Sequence, residues 1–100
     1  MNRNYWLDIF DGMTWKEFLN NGANVSGFKE RRRNIAEKIK SGDYLICYLI
    51  GLSKFIGVLE VLSEGYFDTE TRIWKDQLFP VRFRVKVVYV CRPSAIMGHK

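Results

Sequence analysis

The residues with the clearest chemical potential are cations. Lys29, Arg31, Arg32 and Arg33 open the stretch Lys29–Lys40, whose spacing has helical character. Guanidinium forks and the free N–H groups of a helix N-terminus both grip phosphates. Like charges at the positive end of a helix dipole cost stability unless something requires them there. The triple arginine therefore tilts the reading from a solvated helix face toward phosphate contact. A second basic set lies in the stretch Val81 to Cys91. There Val81, Phe83, Val85, Val87 and Tyr89 share one face, and Arg82, Arg84 and Lys86 share the other. The first face is expected in the core and the second as an outward basic stripe, which adds Arg82 and Arg84 to the phosphate candidates.

Catalytic constellations are missing. The sequence has no Walker loop, no G-x-G-x-x-G, no H-E-x-x-H and no nucleophile elbow. Asp8 lies in the first apolar stretch, while Asp11 before Gly12 and Asp43 after Gly42 read as turn residues. Glu60 reads as an outward-facing strand residue. Cys47 and Cys91 each sit inside an apolar run, outside any C-x-x-C or Cys/His cluster, and read as buried free thiols rather than zinc ligands. His99 lies beside the C-terminus, a poor place for catalysis. No enzyme activity, metal or cofactor is expected.

The elements that must position the cations can be read in order. Tyr5–Phe10 is a first strand closed by Asp11-Gly12. Thr14 and Glu17 form a capping box, Trp15, Phe18 and Leu19 follow on one face, and Asn21-Gly22 stops this short helix. After the Lys29–Lys40 helix, Tyr44–Ile50 is apolar throughout, as in a strand covered on both faces. Gly51–Lys54 closes a hairpin and Phe55–Leu62 returns, with Gly57 marking a bend or a close backbone approach. Ser63–Pro80 is a long connection, and Arg92-Pro93 ends the last strand. Strand, helix, helix and then several strands indicate an α+β fold with a small, strongly bent or barrel-like sheet.

Composition bounds the rest. One hundred residues, 47% hydrophobic and 27% charged, fit one globular domain and not a disordered chain. No apolar run reaches the length of a membrane span, and the opening residues do not follow a signal-peptide pattern, so a soluble cytoplasmic protein is expected. The net charge of +5 favours a polyanionic partner, and 15% aromatic residues beside those cations suit base stacking.

The run Gly27-Phe28-Lys29-Glu30-Arg31-Arg32-Arg33-Asn34, followed by Lys40-Ser41-Gly42-Asp43 and Leu45-Ile46-Cys47-Tyr48, resembles the EVE domain of the PUA-like superfamily, related to YTH domains. Ile56-Gly57-Val58-Leu59-Glu60-Val61, Tyr66-Phe67-Asp68, Phe79-Pro80 and Arg82-Phe83-Arg84-Val85-Lys86-Val87 continue the resemblance, and Tyr5-Trp6 matches its aromatic opening. The resemblance implies a PUA-like pseudo-barrel over residues 1–92, with five or six strands, two short helices and a tail at 93–100. It also implies a non-catalytic reader that accepts a modified, methylated base, flipped out of DNA, into an aromatic pocket. Such a reader serves restriction systems, with a fused or associated nuclease or motor domain. The family often places a tryptophan just before the glycine matching Gly27, where this chain has Val25-Ser26. The stacking role then passes to Trp6, Tyr48 or Trp74, with Ser26 and the backbone around Gly27 bonding the base edge. The alternatives are an RNA-binding module for a modified or single-stranded base, and a protein-interaction adaptor.

Overall fold

The computed structural model describes residues 3–91; the tail at 93–100, the Arg92-Pro93 strand break and His99 lie outside the described residues. In chain order the elements are β1 (Tyr5–Phe10), α1 (Gly12–Asn20), β2 (Val25–Phe28), a 3-10 turn (Glu30–Arg32), α2 (Arg33–Ala36), β3 (Tyr44–Leu49), β4 (Lys54–Val61), β5 (Tyr66–Phe67) and β6 (Val81–Val90). The strands form one curled mixed sheet in the order β1-β3-β4-β6-β2, with β5 on β6. Only β1–β3 is parallel; the other pairs are antiparallel. Among the described residues no helix is long and apolar enough to cross a membrane.

Helix α1 begins three residues before the expected start, capped by Asp11 rather than Thr14. The Asp11 carboxylate accepts from the Thr14 N–H at 2.8 Å and the Thr14 hydroxyl accepts from the Asp11 N–H at 2.9 Å. The capping box is thus Asp11/Thr14, not Thr14/Glu17. The helix lays Trp15 and Phe18 on the sheet beside Phe10. Gly57 makes the close approach possible, because a Cβ there would sit 3.2 Å from the Trp15 ring and 3.1 Å from the Tyr89 carbonyl oxygen.

The core joins Phe10, Trp15, Phe18, Leu45, Leu49, Ile56, Leu59, Phe83 and Val85 to the buried Cys47. Burial and the charge of Asp8 push the Cys47 thiol far up, which leaves it inert. Cys91, by contrast, is partly exposed. Strand β3 is buried on one face only: Tyr44, Ile46 and Tyr48 on the other are half-exposed, contrary to the expectation that both faces are covered. Strand β6 pairs Val58 with Tyr89 but Leu59 with Val87. This bulge slips the alternation past Val88, so Tyr89 leaves the core while Val90 packs against it.

Candidate nucleic-acid interface

The cationic segment does not form the expected long helix. Residues Glu30–Arg32 make a 3-10 turn and Arg33–Ala36 one short helical turn, neither with a side-chain cap. Crowded like charges at an uncapped start account for the brevity. An extended helix dipole therefore adds little, and the side chains carry the positive field. Lys29, Arg31, Arg32 and Arg33 are all exposed. The one ion pair they make among the described residues is Arg33 to Glu30 at 3.8 Å, an exposed contact of small worth.

Three of these cations rim a cavity of about 270 Å³ at the seam where the sheet curls round to bring β2 toward β1. Lys29, Arg31 and Arg32 lie along its mouth, with Phe28, Phe79 and the end of β1 as walls. Both strands end the sheet order, so among the described residues each has an unpaired edge. The Asn4 and Phe10 carbonyls accept from Tyr44 and Ile50. By strand alternation the main-chain groups of Leu7 and Ile9 then face the seam. On β2 the Asn24 carbonyl accepts from Val85, which turns the main chain of Val25 and Gly27 to the seam by the same rule. The cavity therefore combines flat apolar walls, a cationic rim and free backbone donors and acceptors.

One buried contact clasps the seam. The Ser26 hydroxyl donates to the Asp8 carboxyl, joining β2 to β1, and both side chains are sealed from solvent. Burial raises the Asp8 carboxyl to about 7, against the lowering effect of the Ser26 hydroxyl. Neighbouring Asp43 is also buried, beyond what a turn residue would require. It accepts from the Trp6 indole at 2.9 Å, the Lys40 N–H at 2.9 Å and the Asn4 N–H at 3.1 Å. Burial acts to raise its pKa, but these three donors and the Lys40 charge outweigh it and leave the carboxyl below its usual range.

The predicted base-binding residues scatter. Gly27 stands at the seam, where a Cβ would meet the Phe79 carbonyl oxygen at 2.7 Å and the Trp74 ring at 2.9 Å. Ser26 is committed to Asp8. Trp6 is half-buried in a hollow of about 60 Å³ beside Phe28 and Arg32. Tyr48 lies on the outer face of the sheet, edge-on to Phe55 with ring centroids 5.0 Å apart. Trp74 is 1% exposed, packed perpendicular to Phe79 with its N–H on the Thr14 carbonyl at 3.2 Å. A ring held there offers no open face to a base.

Arg82 corrects the basic stripe. It is 1% exposed, because the connection Asp68–Pro80 folds over this end of β6. Its guanidinium donates to the Phe79 and Leu78 carbonyls at 3.1 Å each, approaches Asp68 at 3.4 Å and faces the Trp74 ring at 5.6 Å. It cannot reach a phosphate. Instead it holds Phe79, a non-glycine residue at φ 47° just before Pro80. That left-handed conformation is strained and persists only where its surroundings fix it. Arg84 remains exposed, and Lys86 pairs across strands with Glu60 at 3.8 Å.

Sequence reasoning missed Asp8 and Phe79. For Asp8 a signal existed, since it shares parity with Trp6 and Phe10 and so points inward. For Phe79 none did, as it meets Gly27 only through the folded connection.

The EVE domain family model matches residues 4–96. UPF0310 proteins of Pyrococcus abyssi and Saccharolobus solfataricus are 30% and 32% identical over 98 and 94 residues. The matches cover 86% and 88% of this chain, and 67% and 56% of those relatives. Solved structures share the architecture. A YTH domain-containing protein mmi1 in complex with RNA superposes with TM-score 0.68 at 19% identity, over 94% of this chain and 60% of that one. The Pho92 YTH domain in complex with m6A gives 0.62 at 24%, over 90% and 61%. The chain thus spans less than two-thirds of these structural neighbours. Together with the curled mixed sheet and its two short helices, the match establishes that the chain belongs to the EVE domain family.

Proposed function

We propose that this chain is a non-catalytic module that binds nucleic acid and reads one modified base, accepted into the seam cavity. The observation that carries this reading is the hollow itself: about 270 Å³, walled by Phe28 and Phe79 and rimmed by Lys29, Arg31 and Arg32. Extruding a base costs a few kcal/mol of unstacking. Stacking on an aromatic ring returns about 1–3 kcal/mol. The free main-chain groups of β1 and β2 pair with the base edge, and the cations hold the flanking phosphates without reading sequence. A methyl group on the base gains from the apolar walls what an unmodified base does not.

The family resemblance supports a methylated base in DNA, read for a restriction system whose nuclease or motor activity resides in another domain. The YTH neighbours solved with RNA and with m6A favour RNA as a second reading. A panel of DNA and RNA oligonucleotides differing only in one methyl or hydroxymethyl group separates the two. Affinity is expected to fall steeply with salt and to favour a modified probe. Replacing Arg31, Arg32 and Arg33 by Ala should weaken binding to every probe, whereas Phe28→Ala should erase the preference. Equal affinity for modified and unmodified probes throughout a salt titration overturns the reader proposal.

A further inference from the structure

A second hollow lies across the arginine segment from the seam. It holds about 340 Å³ between α2 and the turn into β5. Its floor is apolar, made by the buried side chains of Ala36, Ile39 and Val81. Tyr66 and Phe67 wall one side and remain 38% and 48% exposed. The Arg33 guanidinium lies 4.6 Å from the centroid of the Phe67 ring. Arg33 and Lys40 are balanced in charge by Glu37 and Glu64. That balance makes a poor site for a bare phosphate. An apolar floor beside a guanidinium plane that is itself backed by an aromatic ring suits a nucleobase, which such surfaces hold by stacking. The carboxylates add acceptors for amino groups on a base edge.

We propose that this hollow takes the base adjoining the one read at the seam, stacked on the outer plane of the Arg33 guanidinium, which the Phe67 ring backs from its other side. The inference rests on the seam reading given above. The arginine run links the two sites: Arg31 and Arg32 line the seam cavity and Arg33 lines the second hollow. Glu30–Ala36 is therefore a cationic ridge between two ring-sized recesses. A strand that places one base at the seam carries its phosphates over this ridge, and its neighbour descends on the far side.

The test uses fluorescein-labelled DNA heptamers with a central 5-methylcytosine or N6-methyladenine, followed by anisotropy with the full chain. An abasic site next to the central nucleotide, on one side only, should weaken binding about tenfold, in line with the loss of one stacked base. Phe67→Ala should weaken the intact heptamer by a similar factor and abolish the abasic penalty, while Phe67→Trp restores both. The preference for a modified centre should survive in every Phe67 variant. Wild-type affinity in Phe67→Ala, or an abasic penalty that persists in it, overturns the proposal. Should the wild type fail to distinguish modified from unmodified heptamers, the seam reading falls. A penalty abolished by Phe67→Ala would then still support the stacking site itself.

Discussion

Asp8→Asn is expected to stabilise this protein at neutral and alkaline pH. The Asp8 carboxyl is 2% exposed, and burial raises it from 3.8 to about 7. A carboxyl that holds its proton more tightly folded than unfolded costs nothing below about pH 4, where both states are protonated. The cost grows as pH rises toward 7 and is constant above it. A gap of about 3 pH units at about 1.36 kcal/mol each amounts to about 4 kcal/mol. Asparagine keeps the shape and can still accept from the Ser26 hydroxyl, so the clasp between β1 and β2 survives without its charge. For a domain of this size about 4 kcal/mol corresponds to a rise in Tm of about 16–32 °C. Thermal unfolding followed by circular dichroism from pH 4 to pH 9 measures it. The wild-type Tm should fall as pH rises from 4 to 7, and the variant should lack that fall. Superimposable pH profiles, or a variant less stable than wild type at pH 8, would refute the account of Asp8 as a desolvated carboxyl.

Three further substitutions probe the frame around the seam. Arg82→Ala strips a buried cation from Asp68 and from two carbonyls, and should cost about 3 kcal/mol in urea unfolding. It should also free Phe79, so preference for a modified base falls while the salt dependence of binding stays as in the wild type. Asp43→Asn turns an amide N–H toward donors from Trp6, Lys40 or Asn4, and about 1–3 kcal/mol should be lost. Because the Asp43 pKa is lowered, the wild-type contribution should disappear as pH falls below 3.8, and the two chains should converge in acid. Gly27→Ala drives a Cβ against the Phe79 carbonyl and the Trp74 ring, and a loss of about 1–3 kcal/mol is expected from the overpacking; an unchanged Tm would show that the connection yields freely.

Much of the fold was legible in local patterns. The alternation of β6 from Phe83 to Val85, the placement of β1, β3 and β4, and the burial of Trp15 and Phe18 three residues apart on α1 each depend on a few adjacent residues, and each appears where expected. The exceptions come from contacts between distant segments. Arg82 and Arg84 have the same parity, yet one is sealed and the other exposed, because the connection Asp68–Pro80 covers only the start of β6. Strand alternation assigns a side chain to a face and says nothing of what later covers that face. Glu17 shows the same limit. Its carboxylate pins that connection by accepting from the Lys75 N–H at 3.0 Å, a contact spanning 58 residues. Asp43 reads as a turn residue beside Gly42, and its burial arises only when β1 docks parallel to β3 and brings Asn4 and Trp6 within reach.

The clasp leaves no place for a ring at Ser26. A large side chain at that position would point where the Ser26 hydroxyl now meets Asp8, beneath the cavity floor. With that place taken by the clasp, flat surface at the seam has to come from elsewhere, and the structure offers Phe28 from β2 and Phe79 from the long connection. Phe79 reaches its position only through a left-handed backbone, at a cost of about 1–3 kcal/mol. The buried Arg82 offsets that cost by bonding the Phe79 carbonyl and its neighbour. Gly27 completes the arrangement by leaving room for Trp74 and Phe79 to press against β2. An exposed basic stripe, as the sequence pattern suggested, would have set Arg82 in solvent beside Arg84. Burying Arg82 instead converts a charge into the brace of an aromatic wall, and leaves Lys29, Arg31, Arg32 and Arg33 beside the seam, and Arg84, as the exposed cations of the predicted phosphate set.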